Sequence, residues 1–464
     1  MRIECHGVIS GCPSQVVFNT MSKKNSIDPT TVVFGASLLA IIFVTGGVFA
    51  IKNYPPFNFL RDGYKSTAAL FDSQLKERSS LLVAPAYEGD GVTVHDTSQT
   101  SDGLTILQGI FPGGLQVKLI DMEGNELHNW PLDFFSIWPE PAHLTAEKRP
   151  KSPYDHHSQG IFVNRDGSII VNFGYLGTAK LDKCGEVKWT VDRMTRHFVT
   201  PDGEGNYWIG ANREIDDIPD KLLFFGVDKE WLKTTYQRYE NTMLRVSAEG
   251  EILEEVSVLQ MFYDAGLEGN IYDALRVERD DPTHHNNIEI VTPALATKLD
   301  GVNVGDLLLS IRNMHMLIIV DKDTYAIKRK YAGGFTRQHD PDITPEGNII
   351  VFNNSLEDYG FNRVTGSSLT QLDPSTNELS IVHPQQGQPG FYSQIFGTHQ
   401  ALPNGNIFVS EGLAGRVFEI NERGDIVWAY VSRYDEEHAS VVEEAYRYEP
   451  DYFTVDDWSC ETSI

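Results

Sequence analysis

One unit recurs along the chain from about residue 100 and constrains the fold more than any other feature. It begins with an apolar strand that ends in Asp, a short turn and a second strand that often ends in Trp. A histidine-bearing loop and an Asp-Gly or Asn-Gly turn then lead into another apolar strand. The six copies begin at "LQVKLIDMEGNELHNW", "GTAKLDKCGEVKW", "TMLRVSAEGEILEEV", "HMLIIVDKDTYAIKRKY", "SLTQLDPSTNELSIV" and "GRVFEINERGDIVWAYV". Such periodic short strands are typical of β-propellers.

The sixth copy lacks a C-terminal partner, and the early segment "SDGLTILQGI" (residues 101–110) has the missing Asp-Gly-strand form. Pairing this early strand with the last blade would close a ring and remove the exposed edges of an open sheet. We therefore predict an all-β fold, a six-bladed β-propeller over residues 101–434. A β-sandwich or barrel is the alternative. Residues 52–100 are predicted to form a linker or stalk, and residues 435–464 an acidic tail.

Residues 31–51, "TVVFGASLLAIIFVTGGVFAI", carry no charge over 21 positions. That length is sufficient to cross a bilayer core of roughly 30 Å. Because Lys23 and Lys24 precede the segment, residues 1–30 are predicted to be cytoplasmic, with the propeller in a periplasm or secretory lumen. The sequence thus predicts a single-pass transmembrane helix, and a cleaved signal peptide is the alternative.

The formal net charge is −27, from 38 basic and 65 acidic residues. This excess argues against a nucleic-acid partner, because phosphate binding requires clustered Lys and Arg. A local group of Arg and His can still bind a small anion. Of the four cysteines, Cys184 and Cys460 would lie in the oxidising space and could pair, although their spacing does not require it.

Five histidines precede the same strand of successive units, so a propeller would bring them towards one end of its central channel. They are His157, His197, His284, His339 and His399. The common zinc spacings and nucleotide-binding loops are absent, so no metal and no cofactor are predicted. Arg312 ends the apolar strand "LLLSIR", where its guanidinium could bind an oxyanion or pair with a carboxylate.

Three ordered motifs resemble the arylsulfotransferase family, whose members do not use a nucleotide sulfate donor. They are His284-His285-Asn286, Ser310-Ile311-Arg312 and Gln338-His339 followed by a strand ending Phe352-Asn353-Asn354, with a later match at Phe391-Tyr392-Ser393. The resemblance extends over about residues 100–450. It implies a six-bladed propeller that transfers a sulfuryl group from an aryl sulfate ester to a phenol in two steps.

The resemblance also implies roles for individual residues. His339 would be the nucleophile, while His284 and Arg312 would bind the sulfate oxygens and stabilise the charge of the transition state. Asn286 would orient groups near them. His197 is the preferred match for a further family histidine, with His157 second, and His399 completes the substrate-binding candidates.

Two departures from the family pattern stand beside the nucleophile. Asp340 follows the Gln-His pair, where a carboxylate would repel a sulfate unless it points away or orients His339. The following strand reads "VFNNSLEDYGFNR", so a further cationic contact is missing. A non-catalytic binding propeller and a metal-dependent hydrolase or oxidase therefore remain alternatives, and the oligomeric state is not predicted.

Overall fold

The computed structural model describes residues 29–51, 78–223, 227–233, 238–278, 280–355 and 366–460. The chain divides into two compact units, Met1–Asp72 and Ser73–Ile464. In the first unit, helix α1 (Pro29–Ile51) covers the predicted membrane segment at residues 31–51, whereas residues 1–28 of the predicted cytoplasmic segment lie outside the described residues. No helix in the described ranges is long and apolar enough to cross a membrane, so the predicted anchor is unsupported and stays a prediction.

The second unit consists mainly of strands joined by tight turns. In chain order they are β1 Gly91–His95, β2 Leu104–Phe111, β3 Gly114–Ile120, β4 Glu126–Pro131, β5 Ser158–Val163, β6 Ile169–Phe173, β7 Gly177–Leu181, β8 Val187–Val191, β9 Thr195–Pro201, β10 Tyr207–Asn212, β11 Asn241–Val246, β12 Ile252–Ser257, β13 His285–Ile290, β14 Leu307–Ile311, β15 Met316–Val320, β16 Ile327–Ala332, β17 His339–Ile343, β18 Ile349–Asn353, β19 Ser368–Asp373, β20 Glu378–His383, β21 His399–Ala401, β22 Ile407–Glu411, β23 Arg416–Ile420, β24 Ile426–Val431 and β25 Val441–Tyr448.

Short helices lie in the connections between these strands. They are α2 Phe134–Ile137, α3 Lys229–Leu232, α4 Val258–Asp264, α5 Glu268–Val277 and α6 Pro293–Lys298, with single 3₁₀ turns at Ile215–Asp217, Asp220–Leu222, Arg312–Met314 and Gly412–Ala414. Helices α2 to α5 lie in the longer connections between blades or strands and contribute to the core beside the second to fourth blades.

The strands form six antiparallel sheets, which confirms the predicted six-bladed propeller. Their orders are β25-β2-β3-β4, β5-β6-β7-β8, β9-β10-β11-β12, β13-β14-β15-β16, β17-β18-β19-β20 and β21-β22-β23-β24-β1. The innermost strands contact one another from blade to blade, as β5 does with β9 and β13 with β17. Apolar side chains between neighbouring blades form the core, for example Trp130 and Val117 of the first blade with Val171 of the second.

The ring closes differently from the prediction. Strand β2 pairs with β25, from Leu104↔Tyr448 to Ile110↔Val441, and not with the sixth unit. Strand β1 adds a fifth strand to the last sheet by pairing with β24. The propeller therefore extends into both the predicted linker and the predicted tail. The physical reason is that β2-β3-β4 needs an inner neighbour, and "VVEEAYRY" supplies one despite its acidic residues.

We expect Gly109→Ala to destabilise this closure. Gly109 lies on β2 opposite Val442 of β25, at a register shift, and an added Cβ would overlap the Val441 carbonyl oxygen. Overpacking of this kind lowers the free energy of unfolding by about 1–3 kcal/mol. Gly269→Ala in α5 is the control, since its Cβ would meet no atom within 4 Å. Equal midpoints of thermal unfolding for the two variants would contradict the closure argument.

Candidate active site

A cavity of about 400 Å³ lies among the innermost strands, a volume suited to a small organic ligand. The structure places six of the seven predicted site residues in its lining: His157, His197, His284, Asn286, Arg312 and His339. The seventh, His399, does not line this cavity. It is buried behind Asp340, whose carboxylate accepts a hydrogen bond from the His399 backbone N–H at 2.7 Å.

Local distortions of the innermost strands place these side chains in the cavity. The pairing register shifts within β5, β9, β13 and β17, and each shift marks a β-bulge or a similar irregularity. Bulges bend a strand and re-aim a side chain, and they recur next to active sites. His197, His284 and Asp340 have φ angles of 57°, 43° and 52°, in the left-handed region that residues with a Cβ rarely adopt. Such backbone strain is concentrated at functional sites.

The imidazole of His339 is held by one amide. Nδ1 of His339 lies 2.6 Å from Oδ1 of Asn354. The Asn354 amide nitrogen donates to the carbonyl oxygens of Ser393 at 3.0 Å and Phe396 at 2.7 Å, so its oxygen must face the histidine. Because an amide oxygen only accepts, Nδ1 of His339 carries the proton. Nε2 is then left with its lone pair.

Electrostatics keep this imidazole neutral. Burial lowers the pKa of His339 to about 3, and the nearby Arg312 guanidinium contributes in the same direction. Hydrogen bonds to Asn354 and to the Arg337 backbone oppose the shift but are too weak to cancel it. The result is an unprotonated nitrogen base at neutral pH, which is the form that acts as a nucleophile.

A buried charge pair holds the two neighbouring histidines. Arg196 donates through Nη1 to Asp281 at 2.9 Å and through Nη2 to Nε2 of His197 at 2.6 Å. Asp281 in turn lies 2.8 Å from Nδ1 of His284. The rings of His197 and His284 are 5.0 Å apart. One guanidinium and one carboxylate, both fully buried, thus fix the positions of both imidazoles.

The same arrangement gives the two histidines different electrostatic surroundings. Burial and Arg196 hold the pKa of His197 well below its usual value, and its Nε2 is occupied as an acceptor. Burial and Arg312 also lower the pKa of His284, whereas the Asp281 carboxylate raises it. His284 is therefore the better suited of the two to exchange a proton, because a carboxylate beside an imidazole stabilises the imidazolium.

Arg312 supplies positive charge at the cavity wall. Its Nη1 donates to Asn313 at 3.3 Å and lies 3.7 Å from Glu278, while its buried Nε has no hydrogen-bond partner among the described residues. Burial, together with Arg337, lowers the pKa of Arg312 to about 10, so it stays charged at neutral pH. An unpaired guanidinium N–H is suited to bind an oxyanion.

Asp340, the departure next to the predicted nucleophile, does not pair with His339. Its Oδ1 accepts from the Asn287 side chain at 3.1 Å and its Oδ2 accepts from the His399 backbone. The carboxylate of this fifth-blade residue thus connects the fourth and sixth blades. The side-chain amide of Asn286 donates a hydrogen bond to the Gln338 carbonyl oxygen at 2.9 Å. Burial lowers the pKa of His157 to about 4, so this imidazole is neutral at neutral pH.

Sequence reasoning gave no role to Asn354, Arg196 and Asp281. Asn354 stood inside a quoted motif, and Arg196 and Asp281 lie one and three residues before predicted histidines. The only indication in the sequence was therefore that these residues lie close to predicted site residues. Their function depends on partners 15 and 85 residues away, which no local pattern reports.

A family model described as Arylsulfotransferase (ASST) matches residues 152–433 of the chain. The match includes every residue predicted for the site and five of the six innermost strands. No curated protein matches the chain.

Solved structures with a similar chain path are distant. A Bacteroides caccae protein of unknown function is 12% identical, with a TM-score of 0.45 over 74% of this chain and 99% of that one. Virginiamycin B lyase from Staphylococcus aureus is 11% identical, with a TM-score of 0.34 over 58% and 69%. The Neurospora crassa Pan2 WD40 domain is 10% identical, with a TM-score of 0.37 over 73% and 75%. At these values they carry no argument about function.

Proposed function

Because the chain belongs to the arylsulfotransferase (ASST) family, we propose that it transfers a sulfuryl group from an aryl sulfate ester to a phenol through an intermediate on Nε2 of His339. One observation carries the proposal. The Asn354 amide holds the proton on Nδ1 of His339, so the lone pair of Nε2 is available at the wall of a cavity that also contains Arg312 and His284. These are the groups that sulfuryl transfer requires: a nucleophile, a cation and a proton carrier.

The reaction divides into two similar halves. In the first, Nε2 of His339 attacks the sulfur, an N–S bond forms, and the S–O bond to the aryl oxygen breaks as that oxygen takes a proton, so that a phenol is released. In the second, the oxygen of a phenol attacks the same sulfur and the N–S bond breaks. His284, backed by Asp281, protonates the leaving oxygen and later removes the proton of the acceptor. No cofactor is needed, since the donor supplies the group transferred.

Charge stabilisation comes from the groups around the sulfur. The sulfate oxygens carry the negative charge, and Arg312 with its unpaired Nε is placed to bind them. Transfer of this kind depends on positioning and cationic groups more than on acid–base chemistry, as in phosphoryl transfer. The partners that we propose are therefore a small aryl sulfate and a phenol.

The test is incubation of the full chain with a chromogenic aryl sulfate, with and without an acceptor phenol. We expect phenol release that depends on the acceptor and yields the acceptor's sulfate ester. Rapid quenching without acceptor should leave a sulfuryl group on the tryptic peptide that contains His339. Release that depends on water alone, or on an added metal ion, would favour the hydrolase alternative. Ligand binding with no release would favour a non-catalytic propeller.

The pH profile gives a separate prediction. The pKa of His339 is lowered to about 3, so protonation removes the nucleophile only at strongly acidic pH. We expect no loss of kcat/KM from this group between pH 7 and about pH 5, because kcat/KM reports the free enzyme. Initial rates at subsaturating aryl sulfate, whose charge does not change in this range, provide the measurement. An acid limb near the usual histidine pKa of about 6.5 that is assigned to His339 would contradict it.

Arg312→Met should lower kcat/KM by about 10²–10³-fold, the usual effect of removing one charge-stabilising donor. The loss should appear in both kcat and KM, since the guanidinium binds the sulfate before and during transfer. Arg245→Met is a matched control, because Arg245 pairs with Asp202 and Glu204 in the turns of its blade and does not line the cavity. Equal effects of the two changes would exclude a direct role for Arg312.

The location of the propeller is a further proposal: an oxidising space outside the cytoplasm. The disulfide between Cys184 and Cys460 supports it, since stable disulfides are rare in the cytoplasm. A reporter enzyme that is active only in an oxidising compartment can be fused after residue 464. We expect this fusion to be active. An inactive fusion, with both thiols reduced, would contradict the proposal.

A further inference from the structure

A second group of polar side chains lies beside the cavity and has no role in the proposed reaction. Asp340 and Asp342 line the cavity, and His399 is buried next to them. Nδ1 of His399 is 3.3 Å from Oδ2 of Asp340, and Nε2 is 3.6 Å from Oδ2 of Asp342. Taking one donor atom from each residue, the three atoms lie within 4.8 Å of one another.

The imidazole of His399 has no hydrogen bond. The residue is only 2% exposed, and neither ring nitrogen meets hydrogen-bond geometry with any atom of the described residues. The two carboxylates are close to the ring nitrogens but are not aligned with them. Buried polar atoms almost always have a partner, and these ring nitrogens are therefore available to a ligand that would take one of them together with the carboxylates.

Further carboxyl groups surround these three residues. Glu289, Glu443 and Glu444 line the same cavity as Asp340 and Asp342. Within the described ranges, the ion pairs of Asp340 and Asp342 involve only His399. Closely spaced carboxylates that share a single imidazole are unfavourable in a buried setting unless a cation or protons offset their charge.

We propose that Asp340, Asp342 and His399 bind a divalent transition-metal ion such as Zn²⁺. Two carboxylates and one imidazole suit zinc and its neighbours, whereas calcium and magnesium prefer oxygen ligands alone. Tetrahedral zinc with ligands at about 2.1 Å has ligand atoms about 3.4 Å apart. Since a metal ion takes only one nitrogen of His399, and the three donor atoms lie within 4.8 Å of one another, the carboxylates must move towards that nitrogen by up to about 1.4 Å on binding. A fourth position is left for water.

The ion would explain how an acidic residue is tolerated beside the nucleophile. Coordination would offset the charge of Asp340, which directly follows His339, and so reduce its repulsion of an anionic sulfate. This consequence rests on the proposed function, whereas the binding site itself does not. The second three-residue group in the described chain, Glu278, Asp281 and His284, already has Arg196 bonded to Asp281 and belongs to the site above.

Calorimetric titration of the chelator-treated full chain with ZnCl₂, without aryl sulfate, tests the proposal. We expect one equivalent to bind, and Asp342→Asn and His399→Gln each to weaken binding by about 100-fold or more. Asp342→Asn keeps the shape of the side chain, and its circular dichroism and unfolding midpoint in chelator should match the wild type. Glu443→Gln is the matched control, since it removes a cavity carboxylate outside the three ligands and should bind zinc as the wild type does.

The other outcomes overturn the proposal. These are no zinc binding by the wild type, binding unchanged in Asp342→Asn, equal loss in Glu443→Gln, or loss only in Glu278→Gln. Because the measurement is an equilibrium titration without turnover, failure of the metal site and failure of the transferase proposal are distinguished directly.

Discussion

His339→Ala should abolish sulfuryl transfer, with a fall in kcat/KM on the order of 10⁴-fold or more. The imidazole forms the N–S bond in the proposed mechanism, and among the described residues no other imidazole of the cavity is bonded to a side-chain amide oxygen. The sulfurylated peptide should disappear as well. Transfer to phenol by the wild type and variant, followed by product chromatography, measures the first effect, and mass spectrometry of quenched samples measures the second.

His383→Ala is the control for that result. His383 is also a buried histidine, and it lies at the end of β20, the outermost strand of the blade whose innermost strand begins at His339. Its Nδ1 lies 3.1 Å from the side chain of Gln388, remote from the chemistry proposed. We expect this variant to keep transfer within about tenfold. Full transfer by His339→Ala would refute the assignment of the nucleophile.

Asn354→Ala should lower kcat/KM by about 10²–10⁴-fold, because the wrong histidine tautomer is known to be this costly in related arrangements. Without the amide oxygen, Nδ1 of His339 loses its acceptor and the proton can move to Nε2, which blocks attack. Nitrogen NMR of isotope-labelled histidine should show protonated Nδ1 in the wild type and a shift towards protonated Nε2 in the variant. A role in packing alone would not change this signal.

Asn353→Ala is the matched control variant for the effect of Asn354 on the His339 tautomer. Asn353 precedes Asn354 and is equally part of the strand end, but its oxygen accepts from the Thr336 backbone at 2.7 Å and does not contact His339. We expect an unchanged His339 spectrum and a small loss of rate. If both asparagine variants lower the rate alike while the tautomer stays the same, the amide acts through structure and not through the proton on Nδ1.

The repeat made most of the fold predictable. Apolar alternation and Asp-Gly turns are local signals, so they located the strands and gave the number of blades. They did not show which distant segment completes an open sheet. The strand at residues 441–448 looked like part of an acidic tail, yet it is the inner strand of the first blade. The pairing of Cys184 with Cys460 was open for the same reason, since 276 residues separate them.

The sequence by itself determined the class of fold, the four histidines, out of five predicted, that line the cavity and the resemblance that gives His339 a role. Tertiary structure alone decided which nitrogen of His339 is free, how Arg196 and Asp281 hold the neighbouring imidazoles, and where the Asp340 carboxylate points. These properties depend on hydrogen bonds between blades and on bulged, left-handed backbone. Such contacts form only in the folded chain, because their partners lie 15, 59 and 85 residues apart in the sequence.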